Sequence, residues 1–378
     1  MKQPISRLLI ANRGEIARRI IRSADEMGIR TVAVYADGDA QAPFVREASE
    51  GIALEGRTAA ETYLDADAIL AAARRTGADA IHPGYGFLSE NAAFARAVTE
   101  AGLIWVGPSA DAIASMGDKL AAKRLMQGIG LPTLPSAAVA RGEDPKKAGK
   151  AIGFPLLVKA AAGGGGRGMR IVKSADELDA AVEAARREAA AAFGDDTIFL
   201  ERWLAAARHV EIQVLGDTHG NLVHCFEREC SIQRRHQKII EEAPSPAVGE
   251  QLREKMAAAA IAAAAAIRYS SAGTVEFLLA ADQFWFLEMN TRLQVEHPVT
   301  EAICGLDLVR EQLRVAQGER LDFEQSDLRI QGHAVEARLY AEDPANDFLP
   351  TTGTVLAWEP PASPPARVDS GVEAGSTV

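Results

Sequence analysis

Apolar and polar positions over the first third of the chain follow a strand–helix rhythm. "RLLIAN" (7–12) is a short apolar run, "GEIARRIIRSADEMG" (14–28) carries its apolar residues at helical spacing and stops on Gly28, and "TVAVYADGD" (31–39) is a β-branched strand running into acidic loop residues. A strand followed by a glycine loop returns in "ADAIHPGYGFLSEN" (78–91) and "GLIWVGPS" (102–109). This alternation predicts a parallel α/β sheet whose ligands lie near the carboxyl ends of its strands. The first turn, "NRGE", offers a single glycine, Gly14, so a dinucleotide site and a plain tight turn into a helix both remain open there.

The rhythm changes at "GIGLPTLPSAAVARGEDPKKAGKAIGFP" (128–155), which is rich in Gly and Pro and reads as a connector into a new unit. "FPLLVKA" (154–160) and "MRIV" (169–172) are strands, "SADELDAAVEAARREAAAAF" (174–193) is a helix opened by a capping box of Ser174 and Glu177, and "TIFLERWL" (197–204) is a strand again. Beyond 205, "RHVEIQVLG", "LVHCFERECSI", "GTVEFLLA" and "FWFLEMN" are strand-like, interrupted by an Ala-rich helix at 250–268, and strands resume at "GHAVEARLYAED". The expected organisation is an N-terminal α/β domain at 1–116, a linker at 117–134, a small glycine-hinged unit at 135–204 and a last domain at 205–378.

Length and composition narrow the function. A chain of 378 residues holds two or three domains. Its net charge of -11, from 41 Lys+Arg against 52 Asp+Glu, argues against nucleic-acid or membrane-surface partners. Three cysteines, Cys225, Cys230 and Cys304, give no disulfide framework and read as small buried thiols. The longest apolar run, "MAAAAIAAAAAI" (256–267), is too short and too Ala-rich to span a bilayer. With no signal-peptide pattern at the start, the expectation is a cytoplasmic protein.

Candidate chemistry centres on "KAAAGGGGRGMRIV" (159–172), which contains a formal G-x-G-x-x-G at Gly163, Gly165 and Gly168. A dinucleotide fingerprint needs a strand, a glycine turn and then a helix, whereas this run lies between two strands. No Gly-Lys-Ser/Thr follows, so it is not a P-loop either. A glycine-tipped hairpin can close over phosphates, with Lys159 at its root; on the loop alone, a bare flexible tip fits as well. "GTVEFLLAADQFWFLEMN" adds the deciding pattern. It reads as a hairpin turning at 280–283, with Thr274, Glu276 and Leu278 on one face and Phe286, Glu288 and Asn290 on one face of the partner strand. Glu276 and Glu288 then become cross-strand neighbours, a repulsive pairing that a divalent cation would relieve. If "EMNTRLQVE" stays extended, Glu288, Asn290, Arg292, Gln294 and Glu296 form one rail, on which Arg292 can hold a small oxyanion and Glu296 can take its proton. The compact basic run "ERECSIQRRHQK" (227–238) supplies Gln233, His236 and Lys238 for phosphates and a small anion.

Together "IANRGEIA", "IHPGYGFLSEN", "GGGGRGMR", "RHVEIQVLGD", "SIQRRHQK", "FLEMNTRLQVEHPVTE" and "GHAVEARLYAEDP" resemble the biotin carboxylases, ATP-grasp enzymes found within acyl-CoA carboxylases and pyruvate carboxylase. The resemblance spans essentially the whole chain. It implies an α/β and α+β architecture: an ATP-grasp fold preceded by a Rossmann-like parallel α/β domain, with a C-terminal domain that is incomplete at "GVEAGSTV" (371–378). It assigns ATP contacts to Lys119, Lys159, Gly165, Gly166, Met169, Glu201, Leu204, His209, Gln233 and His236. It gives Mg²⁺ or Mn²⁺ to Glu276 and Glu288, with Asn290 as a third ligand, and bicarbonate to Lys238, Arg292, Gln294, Val295 and Glu296. Arg338 would face the biotin ureido oxygen, so the catalytic set is Arg292, Glu296, Lys238 and Arg338. Position 202, often Lys in this family, is Arg202 here, which leaves that side chain's role open. The implied partners are a biotin carboxyl carrier protein or domain, a carboxyltransferase subunit and a second copy of the chain. The alternatives are another ATP-grasp ligase of the carbamoyl-phosphate type and a nucleotide-binding subunit without turnover.

Overall fold

In the computed structural model, which describes residues 3–161, 169–361 and 366–378, the opening rhythm becomes five parallel strands. These are β1 (Arg7–Ile10), β2 (Arg30–Tyr35), β3 (Glu50–Ala53), β4 (Ala80–His82) and β5 (Ile104–Trp105), in the order β3-β2-β1-β4-β5. Alternate residues of β1 go to opposite faces, so both faces must be covered. Leu8 and Ile10 pack with Ile16 and Ile20 of the helix Gly14–Glu26, and with Leu308, Val309 and Leu313 of the distant helix Leu308–Ala316. Leu9 turns the other way, toward Ile69, Phe94 and Ile113. The first core also takes in Leu215, Val223, Ala272 and Leu293, so the expected 1–116 and 205–378 units share one apolar interior. Gly14 opens its helix at φ +67, a conformation suited to glycine and to the tight-turn reading of "NRGE".

The stretch expected as a linker is instead well packed. Asp118 caps the helix Lys119–Gly128 by accepting from the Leu120 and Ala121 N–H groups at 2.8 and 3.0 Å. Ala122, Met126 and Leu131 bury themselves against the large sheet described next. Their spacing shows why: one apolar face of a short helix outweighs the Gly and Pro residues around it.

The unit after it is a four-stranded antiparallel sheet of β6 (Ser136–Val139), β7 (Leu156–Ala160), β8 (Arg170–Val172) and β9 (Ile198–Arg202), in the order β6-β9-β7-β8. Helices Pro145–Ile152 and Ala175–Phe193 cover one face. The expected capping box does not form: Ser174 makes no side-chain cap, and the Glu177 carboxylate accepts from the Lys173 N–H at 3.0 Å. The glycines Gly163, Gly165, Gly166 and Gly168 lie outside the described residues.

A six-stranded antiparallel sheet carries the rest: β10 (Arg208–Gly216), β11 (Leu222–Arg234), β12 (Gln237–Ala243), β13 (Ser271–Ala280), β14 (Gln283–Asn290) and β15 (Ala334–Ala337), in the order β14-β13-β10-β11-β12-β15. Val210, Ile212, Val214, Val275 and Phe277 face a core sealed by the Ala-rich helix Glu250–Ala266. Among the described residues no helix is long and apolar enough to cross a membrane.

The other face of this sheet is charged, and Arg228 anchors it. The side chain is 0% exposed, and its guanidinium meets Glu211, Gln213 (2.8 Å), Thr300 (3.0 Å), Thr274 (3.0 Å) and Gln294 (2.7 Å). At the sheet's far edge Glu241 pairs with Glu336 across β12 and β15. Burial, with the charge of Glu296 adding to it, pushes the Glu241 carboxyl up to about 7 against the pull of Arg338. Burial and the charge of Glu241 push Glu336 up to about 8.

Two stability predictions follow from the sheet. Arg228→Met removes one member of a buried ion pair and should cost about 3–5 kcal/mol in urea unfolding, most of it recovered in the Arg228→Met/Glu211→Gln double variant. Glu241 and Glu336 hold protons in the folded chain at a pH where an unfolded glutamate, with a pKa of about 4.3, is already ionised. The folded state therefore binds the extra proton, and stability falls as pH rises through the window from about 5 to about 8. Glu336→Gln should raise the thermal midpoint at about pH 8.5 by a few degrees and change it little near about pH 5. An equal shift at both pH values would rule this account out.

Candidate functional site

The charged face is built by strand alternation and register. On β10 it shows His209, Glu211 and Gln213; on β13, Thr274 and Glu276. The pairing sets Arg228 opposite Glu211, Glu211 opposite Glu276, and Glu276 opposite Glu288. Three carboxylates thus stand in one line across three adjoining strands, an arrangement that needs cations. Arg228 supplies one. Lys238 supplies another: its Nζ donates to Glu211 at 2.6 Å, to Glu276 at 2.9 Å and to Glu296 at 2.6 Å. Burial opposes the charge on Lys238, but these carboxylates outweigh it and hold the ammonium well above its usual range. His209 Nε2 lies 2.9 Å from Glu276; burial again opposes its charge, yet Glu276 and Glu211 push the imidazole up to about 9. Both carboxylates pay for burial, and the surrounding cations still hold Glu211 and Glu276 below the ordinary carboxylate range.

The Glu276–Glu288 hairpin forms as expected, with a two-residue turn between Ala280 and Gln283 and Ala281 at φ +51. One detail differs. A bulge at Leu287 places Glu288 opposite Glu276 but Phe286 opposite Phe277, so Phe286 lies in the apolar core rather than beside Glu288. The extended rail is not observed either. β14 ends at Asn290, the chain bends through 291–296, and the helix His297–Cys304 begins with Pro298 in its first turn. Folding brings the residues together in another way. Asn290 Nδ2 and Gln294 Nε2 donate to Glu276 at 2.7 and 2.9 Å. Arg292 donates to Asn290 Oδ1 at 2.8 Å and to Glu90 at 2.8 Å. Val295 is half-buried beside them. Glu296 accepts from Lys238 on one oxygen and from Arg338 on the other, at 2.8 Å, while Arg338 Nε lies 2.6 Å from Glu241.

The remaining sequence candidates are divided between the small sheet and the large one. Lys119 Nζ is 2.9 Å from Glu288. Lys159 is buried, with its Nζ 2.9 Å from Glu201, and Glu201 also binds Lys123. Gln233 Nε2 lies 3.3 Å from the His209 ring and donates to the Cys230 carbonyl at 2.7 Å. Leu204 follows β9 half-buried, and Met169, half-buried, precedes β8. His236 occupies the exposed tip of the β11–β12 turn, where it and Arg235 both have positive φ, and the structure does not bring its ring into the carboxylate cluster. Gly165 and Gly166 lie outside the described residues.

Sequence reading missed Glu211, Arg228, Glu241, Glu90 and Lys123. A signal existed for Glu211, since "HVEIQV" alternates polar and apolar residues with the glutamate in the middle. Arg228 stood in a basic run read as ligand-facing, and nothing in that run marks it as the buried member.

The chain matches known families along most of its length. Residues 4–113 match the family described as "Biotin carboxylase, N-terminal domain", 118–324 "Carbamoyl-phosphate synthase L chain, ATP binding domain", and 336–378 "Biotin carboxylase C-terminal domain". The methylcrotonoyl-CoA carboxylase subunit alpha of Dictyostelium discoideum is 52% identical over 100% of this chain and 54% of its own length. The chain thus spans about half the length of that relative. It covers 84% of the Haemophilus influenzae biotin carboxylase, at 49% identity over 99% of this chain. The biotin carboxylase domain dimer of Hydrogenobacter thermophilus 2-oxoglutarate carboxylase, solved with MgADP, ADP and bicarbonate, superposes with a TM-score of 0.96 at 44% identity, covering 100% of this chain and 83% of that one. The chain is a member of the biotin carboxylase family.

Proposed function

We propose that this chain carboxylates carrier-bound biotin at the expense of ATP and bicarbonate, the first half-reaction of an acyl-CoA carboxylase. The observation that supports this best is Glu296, a carboxylate flanked by Lys238 and Arg338, with Arg292 nearby on the same loop. Bicarbonate is a small planar anion, and Arg292 offers it a planar fork, joined by Lys238 and the Gln294 amide. Glu296 takes the bicarbonate proton, and the resulting oxyanion attacks the γ-phosphorus of ATP, releasing ADP and forming carboxyphosphate. Carboxyphosphate breaks down to CO₂ and phosphate. Phosphate then takes the N1′ proton of biotin, Arg338 stabilises the ureido oxygen as it gains negative charge, and N1′ bonds to CO₂.

ATP would run from the small sheet to the charged face, with Glu201 and Leu204 beside the adenine, His209 and Gln233 toward the ribose and phosphates, and Lys119, Lys159 and Met169 against the nucleotide; the family resemblance adds His236, Gly165 and Gly166 to these contacts. The carboxylates fit Mg²⁺ or Mn²⁺, since Glu276 and Glu288 stand directly opposite each other; Asn290, whose Nδ2 here donates to Glu276 and whose Oδ1 accepts from Arg292, would have to turn its amide over to add an oxygen. Such an ion would neutralise phosphate charge. The partners that fit are a biotinylated carrier protein or domain and a carboxyltransferase, with a second copy of the chain as the expected assembly.

Three outcomes check this reading. ADP release should require bicarbonate and be stimulated by free biotin; release that ignores both, or follows ammonia instead, would favour the carbamoyl-phosphate type of ligase. Arg292→Ala should lower kcat/KM for bicarbonate by about 10²–10³. Unchanged turnover in that variant would overturn the assignment. Glu288→Gln should raise the half-saturating Mg²⁺ concentration by at least about tenfold while leaving the thermal midpoint close to that of the parent.

A further inference from the structure

Lys123 lies four residues after Lys119, one turn along the helix Lys119–Gly128. The two lysines reach in different directions: Lys119 to Glu288 on the large sheet, Lys123 to Glu201 on β9 of the small sheet. Glu201 is 1% exposed and spends each of its oxygens on a different ammonium, Oε1 on Lys123 and Oε2 on Lys159 at 2.9 Å. Both lysines also lie over the Phe199 ring, 5.8 and 5.5 Å from its centroid. Lys123 itself is 3% exposed.

Two ammonium groups therefore share one buried carboxylate, which leaves a positive charge uncompensated inside the protein. Burial, and after it the repulsion of neighbouring ammonium groups, pulls both lysines down: Lys123, near Lys159 and Lys119, to about 7, and Lys159, near Lys119, to about 8 against the pull of Glu288 and Glu276. Such a surplus is costly unless an anion arrives to take it up. Lys159 stands at the root of the glycine loop, where phosphates would come. If Lys159 left Glu201 with no other cation present, a buried carboxylate would be stripped bare.

We propose that Lys123 is a positioning residue for nucleotide binding: it remains on Glu201 as the second counter-ion and so frees Lys159 to move to a phosphate. The proposal rests on the reading of Lys159 as a nucleotide contact.

The test is ADP affinity, measured by titration calorimetry on the purified protein, together with the thermal midpoint. Lys123→Gln should weaken ADP binding by about tenfold, because Lys159 is then held by a carboxylate it cannot abandon. Lys123→Arg should restore affinity to within about threefold, since the charge is kept. Lys123→Gln/Glu201→Gln should regain most of what Lys123→Gln lost, as no buried carboxylate is left to strand. A lowered midpoint with unchanged ADP affinity in Lys123→Gln would make Lys123 merely structural and overturn the proposal. If Lys123→Gln does not fold, the Arg variant decides alone: a loss of affinity there equally overturns it. Lys159→Gln separates the two levels. Unchanged affinity in Lys159→Gln defeats the nucleotide reading itself, whereas a loss there without one in Lys123→Gln defeats only the role of Lys123.

Discussion

The contact between Arg228 and Glu211 is the constraint that lets this site exist. Strand register places Glu211, Glu276 and Glu288 side by side on β10, β13 and β14. In an unsupported sheet that line would repel itself apart. Arg228, paired opposite Glu211 from β11, is wholly buried and finds partners for its guanidinium on β10, β13, the 291–296 loop and the following helix. It is therefore an electrostatic clamp and a geometric one. The same fork that neutralises Glu211 holds Gln294, and Gln294 in turn holds Glu276. Because the clamp is buried, its charge acts at low effective dielectric and the polar face is ordered before any ligand arrives.

The opposite face of the sheet makes this affordable. Val210, Ile212, Val214, Val275 and Phe277 bury against alanines of the helix Glu250–Ala266 and against Met126 of the helix Lys119–Gly128. Alanine lets that long helix lie close to the sheet, so a dense apolar layer lies directly behind the charges. The helix Lys119–Gly128 then does two things at once. Its apolar side joins the core, and its lysines reach out to both sheets. It serves as the structural joint between the small sheet and the large one, which is why a segment rich in helix formers had to stand where a connector was expected.

Much of this was legible in the sequence. Period-two alternation marks β10, β13 and β14, and a turn at 280–283 makes Glu276 and Glu288 near cross-strand neighbours. The bulge at Leu287 was not legible, because a bulge inserts a residue without changing composition, and it carries Glu288 onto the face of Glu276 while Phe286 stays opposite Phe277 in the core. The rail from Glu288 to Glu296 failed for a local reason: Pro298 starts a helix, and the residues before it fold into a compact loop. Arg338 and Glu241 meet only because β15 pairs with β12, a contact across about a hundred residues that no local pattern announces. Lys123 was hidden more simply, since a lysine on a polar helix position reads as solvated surface until its partner is seen.

A general rule emerges from the counter-ions. Lys238 is held by Glu211, Glu276 and Glu296, and each of these has a further cation behind it: Arg228, His209 and Arg338 respectively. Lys159 is held by Glu201, which has Lys123. Lys119 is held by Glu288, and Glu288 is the one carboxylate of the group with a third of its side chain open to water, at 33%. Each of these lysines thus rests on a carboxylate that has either a second cation or solvent to fall back on. Breaking a buried ion pair outright costs about 3–5 kcal/mol, which would consume much of the free energy of binding a small anion. Doubling the cations removes most of that cost in advance. The lysines are held in place without being trapped, and at Glu201 the doubling leaves two buried ammonium groups on one carboxylate.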